Sequence, residues 1–462
     1  MLLFMPTPRS ALGIFAAIAL PAAAHLALAP TAFAQADPNA PRPPAPAFNP
    51  AAEKVSDEEL AKAVQDGVAH LLAKQSTMVA GKPNAEWPYE GVYRVRGQIP
   101  EGYRVGGTAI CALALIEAPG YQEDQARKEA VARAIDFIVA GTDLPLLSPK
   151  TYEGGYDVRS WAYIYAIEFF ARLKNAGGGG GGGGGGYPQD KADACDAAMK
   201  WYIEALQATE IPKEGGWNYA RNGKATDPSA PSPFMTAPAL QALFEARKAG
   251  YEVDDGVVGR AMDFLEKSRF PSGSVAYSGV ASGSMPTTSA TPGAVGRMLS
   301  VETTLVLGGR GDVSRVRGAL DAFLVHWDWL KQRKQQTGTH VRPYMVAPYY
   351  FMFAHRYAAQ AIEVLPVAER GEYRRRVNNL LFSVREEDGS WNDRVFPRSS
   401  AYGTAFAMLA ILDAQATPPA KWVPKQAVAP GVGDPADPAA EPRAAAPIDG
   451  TVVREPLARA TR

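Results

Sequence analysis

Apolar residues recur along this chain at the spacing of one buried helical stripe, i, i+3, i+4 and i+7. Val377, Leu380, Leu381 and Val384 fit this template. Such spacing places the four side chains on one face of an α-helix. The same template fits five earlier segments, which start at Val64, Val131, Met199, Val258 and Val316. The pattern therefore predicts six amphipathic helices.

The starting positions of these helices define an internal repeat. They are 67, 68, 59, 58 and 61 residues apart. The second interval contains the ten-glycine run 177–186, and without that insertion it measures 58 residues. Six units of about 60 residues are longer than the common open helical repeats, which have periods of about 33 to 47 residues.

Each unit contains a second, alanine-rich helical segment. Thr108, Thr236 and Thr404 open the similar runs TAICALALIEA, TAPALQALFEA and TAFAMLAILDA, and we predict that these threonines cap their helices. Gly/aromatic turns such as GGWNY and GSWND join the two segments of a unit, and no strand pattern of comparable strength occurs. Six helix pairs predict an all-α fold, an (α/α)6 toroid with the alanine-rich helices in the inner layer.

The two ends of the chain differ in composition from the repeat. Residues 1–36 carry Arg9, a long apolar stretch and a small-residue site at Ala32–Ala34, which predicts a signal peptide. An uncleaved membrane anchor is the alternative. Pro/Ala-rich segments at 37–55 and 416–462 predict a linker and a disordered tail around a toroid at 56–415. The protein is expected in the periplasm or outside the cell.

Charge and cysteine content exclude some functional classes. Lys+Arg and Asp+Glu both number 48, so the net charge of zero gives no reason to expect a nucleic-acid partner. Cys111 and Cys195 are the only cysteines, and we interpret both as small buried hydrophobes, with one disulfide as the alternative.

The Gly-x-Trp turns that follow outer helices, as in LLFSVREEDGSW, resemble the repeats of the terpenoid cyclase / protein prenyltransferase superfamily, squalene cyclase-type. The resemblance covers about 56–415 and implies the same toroid. The chemistry that it implies is not matched, because the cyclase Asp-x-Asp-Asp acid has no counterpart beyond Asp254-Asp255. The Asp, Cys and His zinc ligands of the prenyltransferases also lack counterparts, so we predict no metal and no cofactor.

In a two-layer ring the inner helices run in parallel, so their N-termini meet at one mouth that favours anions. Aromatic and charged residues in the loops leading to this mouth form the predicted ligand site. They are Arg104, Arg159, Trp161, Trp217, Tyr219, Arg342, Tyr344, Trp391, Asp393 and Arg394. The alternative is that the tryptophans pack between units and the arginines pair with nearby acids.

Candidate catalytic residues come mainly from the fifth unit. His355, His340 and Tyr349 lie in its His-, Tyr- and Arg-rich segment, where proton transfer beside a carboxylate is conceivable chemistry. Asp157, with Glu153, is the nearest candidate for the acidic pair of a glycoside hydrolase. The alternative for His355 is a structural role in the core, with the hydrogen bonds of its ring satisfied by the protein.

Three functions follow from these patterns. The first is an exported prenyltransferase/squalene cyclase-repeat toroid that binds a ligand at the mouth, without established catalysis. The others are a polysaccharide lyase or hydrolase acting on acidic glycans, and a nonstandard terpenoid cyclase-like enzyme. The expected partner is an anionic glycan or an apolar small molecule, with a membrane involved only if the N-terminal segment is retained.

Overall fold

The computed structural model describes residues 54–425 apart from 92, 96, 151–157, 177–186, 219–228, 333, 335–339, 341, 348–349 and 394–395. The predicted signal peptide, the linker up to residue 53, the glycine run and the tail from residue 426 lie outside the described residues. Within the described part, the regular structure is helical and extended pairing is limited to three isolated bridges. None of the described helices is long and apolar enough to span a membrane.

The described residues form twelve α-helices, which fall where the periodicity predicts them. They are α1 (Asp57–Lys74), α2 (Glu101–Glu117), α3 (Gln125–Ala140), α4 (Arg159–Ala176), α5 (Ala192–Ala208), α6 (Pro233–Lys248), α7 (Asp255–Lys267), α8 (Thr291–Leu307), α9 (Val313–Lys331), α10 (Tyr350–Glu363), α11 (Val367–Phe382) and α12 (Ser399–Leu412).

The even-numbered helices form a closed inner ring. Each packs against the next even-numbered helix, and α12 packs against α2. The odd-numbered helices surround this ring, each against the preceding inner helix, with α1 against α12. All residues of α12 are buried, whereas α1 buries only a stripe that includes Val64 and Leu71. The predicted (α/α)6 toroid is confirmed.

The ring is fastened at the seam between its last and first units. The ring of His70 on α1 hydrogen-bonds the Ser400 hydroxyl on α12 at 3.0 Å. Arg385, just after α11, donates to the Asp66 carboxylate at 2.7 Å. Gly67 faces Met408, and a Cβ there would lie 2.6 Å from the methionine sulfur. The absence of a side chain at this glycine therefore allows α1 to approach α12 closely.

The Gly-x-Trp turns join the two layers through a repeated pair of hydrogen bonds. The Trp391 main-chain N–H donates to the Thr404 hydroxyl at 3.0 Å, and its indole N–H donates to the Leu381 carbonyl at 2.9 Å. The same two bonds recur at Trp217 (with Thr236 and Leu206) and at Trp87 (with Thr108 and Leu71), although the turn at Trp87 reads Ala-Glu-Trp. The expectation that these threonines cap their helices is wrong, because α2, α6 and α12 begin three to seven residues earlier. The threonines are instead interior acceptors for the turns.

After α12 the chain crosses the base of the ring, where the inner helices end. The Ala420 N–H donates to the Glu245 carboxylate at 2.9 Å, and the Trp422 N–H donates to the Leu307 carbonyl at 2.9 Å. The Trp422 ring packs on Phe244 with centroids 5.4 Å apart. We call residues 413–423 the C-terminal strap. The compact unit extends to Val423, beyond the boundary predicted at residue 415.

Both cysteines are buried and free. Burial raises the pKa of the Cys111 thiol well above its ordinary value and raises the pKa of Cys195 to about 12. Their interpretation as small buried hydrophobes is confirmed.

Candidate functional site

The N-terminal ends of the inner helices send aromatic side chains to the axis of the ring. We call this group the axial aromatic cluster; its members are Tyr89, Tyr103, Trp161, Tyr165, Phe234 and Tyr402, none more than 5% exposed. Trp161 is central, because its ring lies 5.9 Å from Phe234, 5.9 Å from Tyr103 and 5.0 Å from Tyr165. Since the members other than Tyr89 come from α2, α4, α6 and α12, the N-termini of four inner helices converge on one mouth.

The indole N–H of Trp161 is buried, and it has no hydrogen-bond partner among the described residues. An unsatisfied buried donor costs about 1–3 kcal/mol. The side chain is 3% exposed and surrounded by rings. The centre of the mouth therefore carries a polar donor that protein contacts leave unused.

Tyr89 is the member of the cluster that does not come from an inner helix. It lies on the segment between α1 and α2, where its main-chain N–H donates to the Tyr103 carbonyl at 3.0 Å. Its ring packs 4.4 Å from Tyr402. The next residue, Glu90, pairs with Arg94 at 2.8 Å and approaches Arg398 at 4.0 Å. These contacts fix Tyr89 beside Tyr103 and Tyr402.

Two further carboxyl groups lie at this end of the ring. Glu101 begins α2, and its Oε2 is buried without a hydrogen-bond partner in the described part of the chain. Burial raises the pKa of Glu101, and Arg104 offsets part of that rise. Asp393, on the turn before α12, is completely buried. Burial, and then the charge of Asp393, raises the pKa of Tyr402 well above its usual range.

The predicted arginines and Tyr344 occupy different settings. Arg104 donates twice to the buried Glu86 carboxylate, at 2.8 and 2.9 Å. Arg159 is buried and donates to the Ser148 carbonyl. Arg342 is exposed, and the Tyr344 ring packs on Trp329 at 4.9 Å. The structure thus brings Trp161 and Asp393 towards the mouth but gives Arg104 a carboxylate partner of its own.

Among the other predicted ligand residues, Trp217 and Trp391 are completely buried, with their indole N–H groups bonded to main-chain carbonyls. Their rings hold the two helical layers together. Tyr219, Arg394, Tyr349 and Asp157 lie outside the described residues, and their assignments stay predictions.

The two candidate histidines lie apart. His355 is completely buried, donates from Nδ1 to the Phe351 carbonyl at 2.8 Å and accepts the Trp327 indole N–H at 2.9 Å. Burial lowers the pKa of His355 to about 4. Both nitrogens of this neutral ring are thus engaged in core hydrogen bonds. His340 hydrogen-bonds the Tyr277 hydroxyl at 3.2 Å.

Sequence reasoning missed Tyr89, Glu101, Phe234 and Tyr402. A signal for most of the cluster was present, because five of the six inner helices carry an aromatic residue within their first four positions. These residues are Tyr103, Trp161, Phe234, Tyr350 and Tyr402. Side chains at equivalent positions of parallel inner helices lie at the same height, so they meet on the axis.

No protein-family model and no curated protein matches the chain. Solved structures that match it include an α-1,6-mannanase from Salegentibacter sp., with 11% identity over 77% of this chain and 99% of that one, at a TM-score of 0.46. An α-mannanase from Bacteroides thetaiotaomicron is 8% identical over 78% and 97% of the chains, at a TM-score of 0.48. Cellobiose 2-epimerase from Spirochaeta thermophila is 12% identical over 77% and 97%, at a TM-score of 0.46.

These matches correct the resemblance inferred from the turns. They are enzymes of glycans, not terpenoid cyclases or prenyltransferases, so the expected membership of that superfamily and its squalene cyclase-like description are wrong. The physical reason lies in the Gly-x-Trp turn, which ties an outer helix to an inner one. Such a turn indicates a two-layer helical ring and gives no information about the reaction that a protein with this fold catalyses. At these identities and TM-scores the matches likewise transfer no activity to this chain.

Proposed function

We propose that this protein is an exported glycan hydrolase with its site at the mouth formed by the inner-helix N-termini. The observation that carries the proposal is the Glu101 carboxyl group, which has a buried, unbonded oxygen at the end of the ring where the axial aromatic cluster lies. Aromatic surfaces with a few convergent polar groups are typical of small-ligand sites. The unused indole N–H of Trp161 adds a donor suited to a sugar hydroxyl.

Glu101 has the properties of a general acid. Burial raises its pKa, which favours the protonated carboxyl group needed to protonate a glycosidic oxygen. Glycoside hydrolases generally use two carboxyl groups in different environments. Glu90, placed between the guanidinium groups of Arg94 and Arg398, is our candidate for the second.

The charge of the mouth favours an acidic glycan. Arg94 and Arg398, which flank Glu90, are exposed, and helix N-termini add positive potential. A uronate-containing oligosaccharide could pair its carboxylate with one of these guanidinium groups. Export is supported by the predicted signal segment and would place the enzyme where such polymers occur.

The experiment is an assay of the chain lacking residues 1–36 on uronate-containing and neutral oligosaccharides, with new reducing ends and product masses as readouts. Glu101→Gln is expected to lower the rate by about 100-fold or more, the usual range for losing a general acid. Glu117→Gln, at the opposite end of the same helix, is the matched control and should retain the rate.

Three outcomes would contradict this assignment. An unchanged rate in Glu101→Gln would rule out Glu101 as the general acid. Products with a new C4–C5 double bond would show that the enzyme is a lyase. Quenching of tryptophan fluorescence by an oligosaccharide that is never cleaved would leave a binding toroid.

A further inference from the structure

A pocket of about 880 Å³ opens at the seam of the ring, between α1 and α11. Its walls include Leu60, Val64 and Val68 of α1, and its floor includes Ile362 of α10 and Ile411 of α12. The volume is within the range of small-molecule sites, about 300–1,000 Å³, and apolar walls are usual for them.

A carboxylate group lies at the inner end of this pocket. Asp413 follows α12, lines the pocket and is paired with Arg356 of α10. The Asp413 side chain is 10% exposed and that of Arg356 is 8% exposed. An apolar pocket thus leads to a largely desolvated ion pair.

This pair belongs to a cluster of charges beside the C-terminal strap, whose first residue is Asp413. We call it the base cluster; its members are Glu168, Arg172, Glu245, Arg356 and Asp413. Arg172 donates to Glu245 at 3.0 Å, and Arg356 lies 3.5 Å from Glu168. The cluster contains three carboxylates and two guanidinium groups, so one negative charge is unmatched when all are ionised.

Burial, the largest influence, raises the pKa values of Glu168 and Asp413. Unpaired buried charge is costly, and a bound proton is one way to remove it. A cation entering through the pocket is another. Asp413 is the member of the base cluster that such a cation can reach, because it is the one that lines the pocket.

Other charges at the pocket already have partners. Glu363 pairs with Arg374 at 2.6 Å and with Arg370 at 3.3 Å. Arg127 donates to Asp124 at 2.8 Å and to the carbonyls of two preceding residues. The guanidinium groups around the pocket are thus engaged with acids other than Asp413.

We propose that the seam pocket binds a small organic cation, a primary amine with an apolar body, and that its ammonium group sits against Asp413. This site is separate from the mouth, at the opposite end of the inner helices, and does not depend on the glycan hydrolase assignment. The apolar body would occupy the space between α1 and α11, and the ammonium group would supply the charge that the base cluster lacks.

The test is calorimetric titration of the chain lacking residues 1–36 with hexylammonium, hexanol and hexanoate. Hexylammonium is expected to bind at least about tenfold more tightly than hexanol, in line with one desolvated charge pair, and hexanoate to bind more weakly than either. Asp413→Asn should remove the preference for the amine. Asp57→Asn, an exposed acid at the rim of the same pocket, is the matched control and should keep it.

A second variant covers the case in which Asp413→Asn does not fold. Ala61→Trp fills the pocket from an exposed position on α1 and should abolish binding of both hexylammonium and hexanol. Equal affinity for the amine and the alcohol, or amine binding that survives Ala61→Trp, would overturn the proposal.

Discussion

Replacing Thr236 by valine tests the role of the Gly-x-Trp turns. The Thr236 hydroxyl accepts the Trp217 main-chain N–H at 3.0 Å, and both residues are completely buried. Valine keeps the shape of threonine but removes the acceptor, so the N–H is left buried and unbonded. We expect a loss of about 1–3 kcal/mol in the free energy of unfolding, the cost of one orphaned buried donor.

The matched control is Thr303→Val on the neighbouring inner helix α8. Thr303 is also completely buried, but its hydroxyl has no hydrogen-bond partner among the described residues. The same substitution there removes an unsatisfied polar group and orphans no other. It should leave the free energy of unfolding unchanged or increase it.

Urea denaturation followed by far-ultraviolet circular dichroism measures both variants against the parent chain. The midpoint should fall for Thr236→Val and stay or rise for Thr303→Val. Equal losses in the two variants would show that a buried hydroxyl stabilises this ring whatever its partner. An unchanged Thr236→Val would show that the hydrogen bond to the turn contributes nothing.

Three further predictions concern stability. A Cβ added at Gly259 on α7 would have no atom within 4 Å. Gly259→Ala should therefore raise the melting temperature and add about 0.5–1 kcal/mol to the free energy of unfolding, because alanine has the higher helix propensity. A lower melting temperature would contradict this reason. Because burial holds the pKa of His355 near 4, the unfolded chain binds a proton that the folded chain excludes as pH falls from about 6.5 to 4. Over this pH range the free energy of unfolding of the parent chain should therefore fall by up to roughly 3 kcal/mol more than that of His355→Gln. Parallel profiles of unfolding free energy against pH would refute this prediction. A chain ending at Gln415 should have a lower melting temperature than one ending at Lys425, because it lacks the Trp422 contacts. Equal melting temperatures would show that the C-terminal strap does not stabilise the ring.

The fold was predictable because its signals are local and repeated. Each outer helix carries its own apolar stripe, as at Val377 and Leu381, and each inner helix is rich in alanine. Six repetitions make the period visible without any knowledge of contacts. The boundary at residue 415 was harder to place, because a Pro/Ala-rich composition predicts a tail and only Trp422 hints at packing.

The candidate site was much less predictable, because it is assembled from distant parts of the chain. Tyr89 and Tyr402 touch on the axis although more than 300 residues separate them. Asp413 meets Arg356 only because α10 and α12 are neighbours in the closed ring. The composition around His355 is equally compatible with a core and with a catalytic group, and its two hydrogen bonds depend on tertiary packing.

The closure of the ring constrains when the protein can fold during its synthesis. The apolar stripe of α1 packs mainly on α12, which is more than 300 residues later in the chain. Contacts this distant in sequence are slow to form, and the apolar stripe of α1 stays exposed until α12 has been synthesised. Among the described helices α1 is therefore one of the last to reach its final position, and a chain interrupted before α12 cannot close the ring.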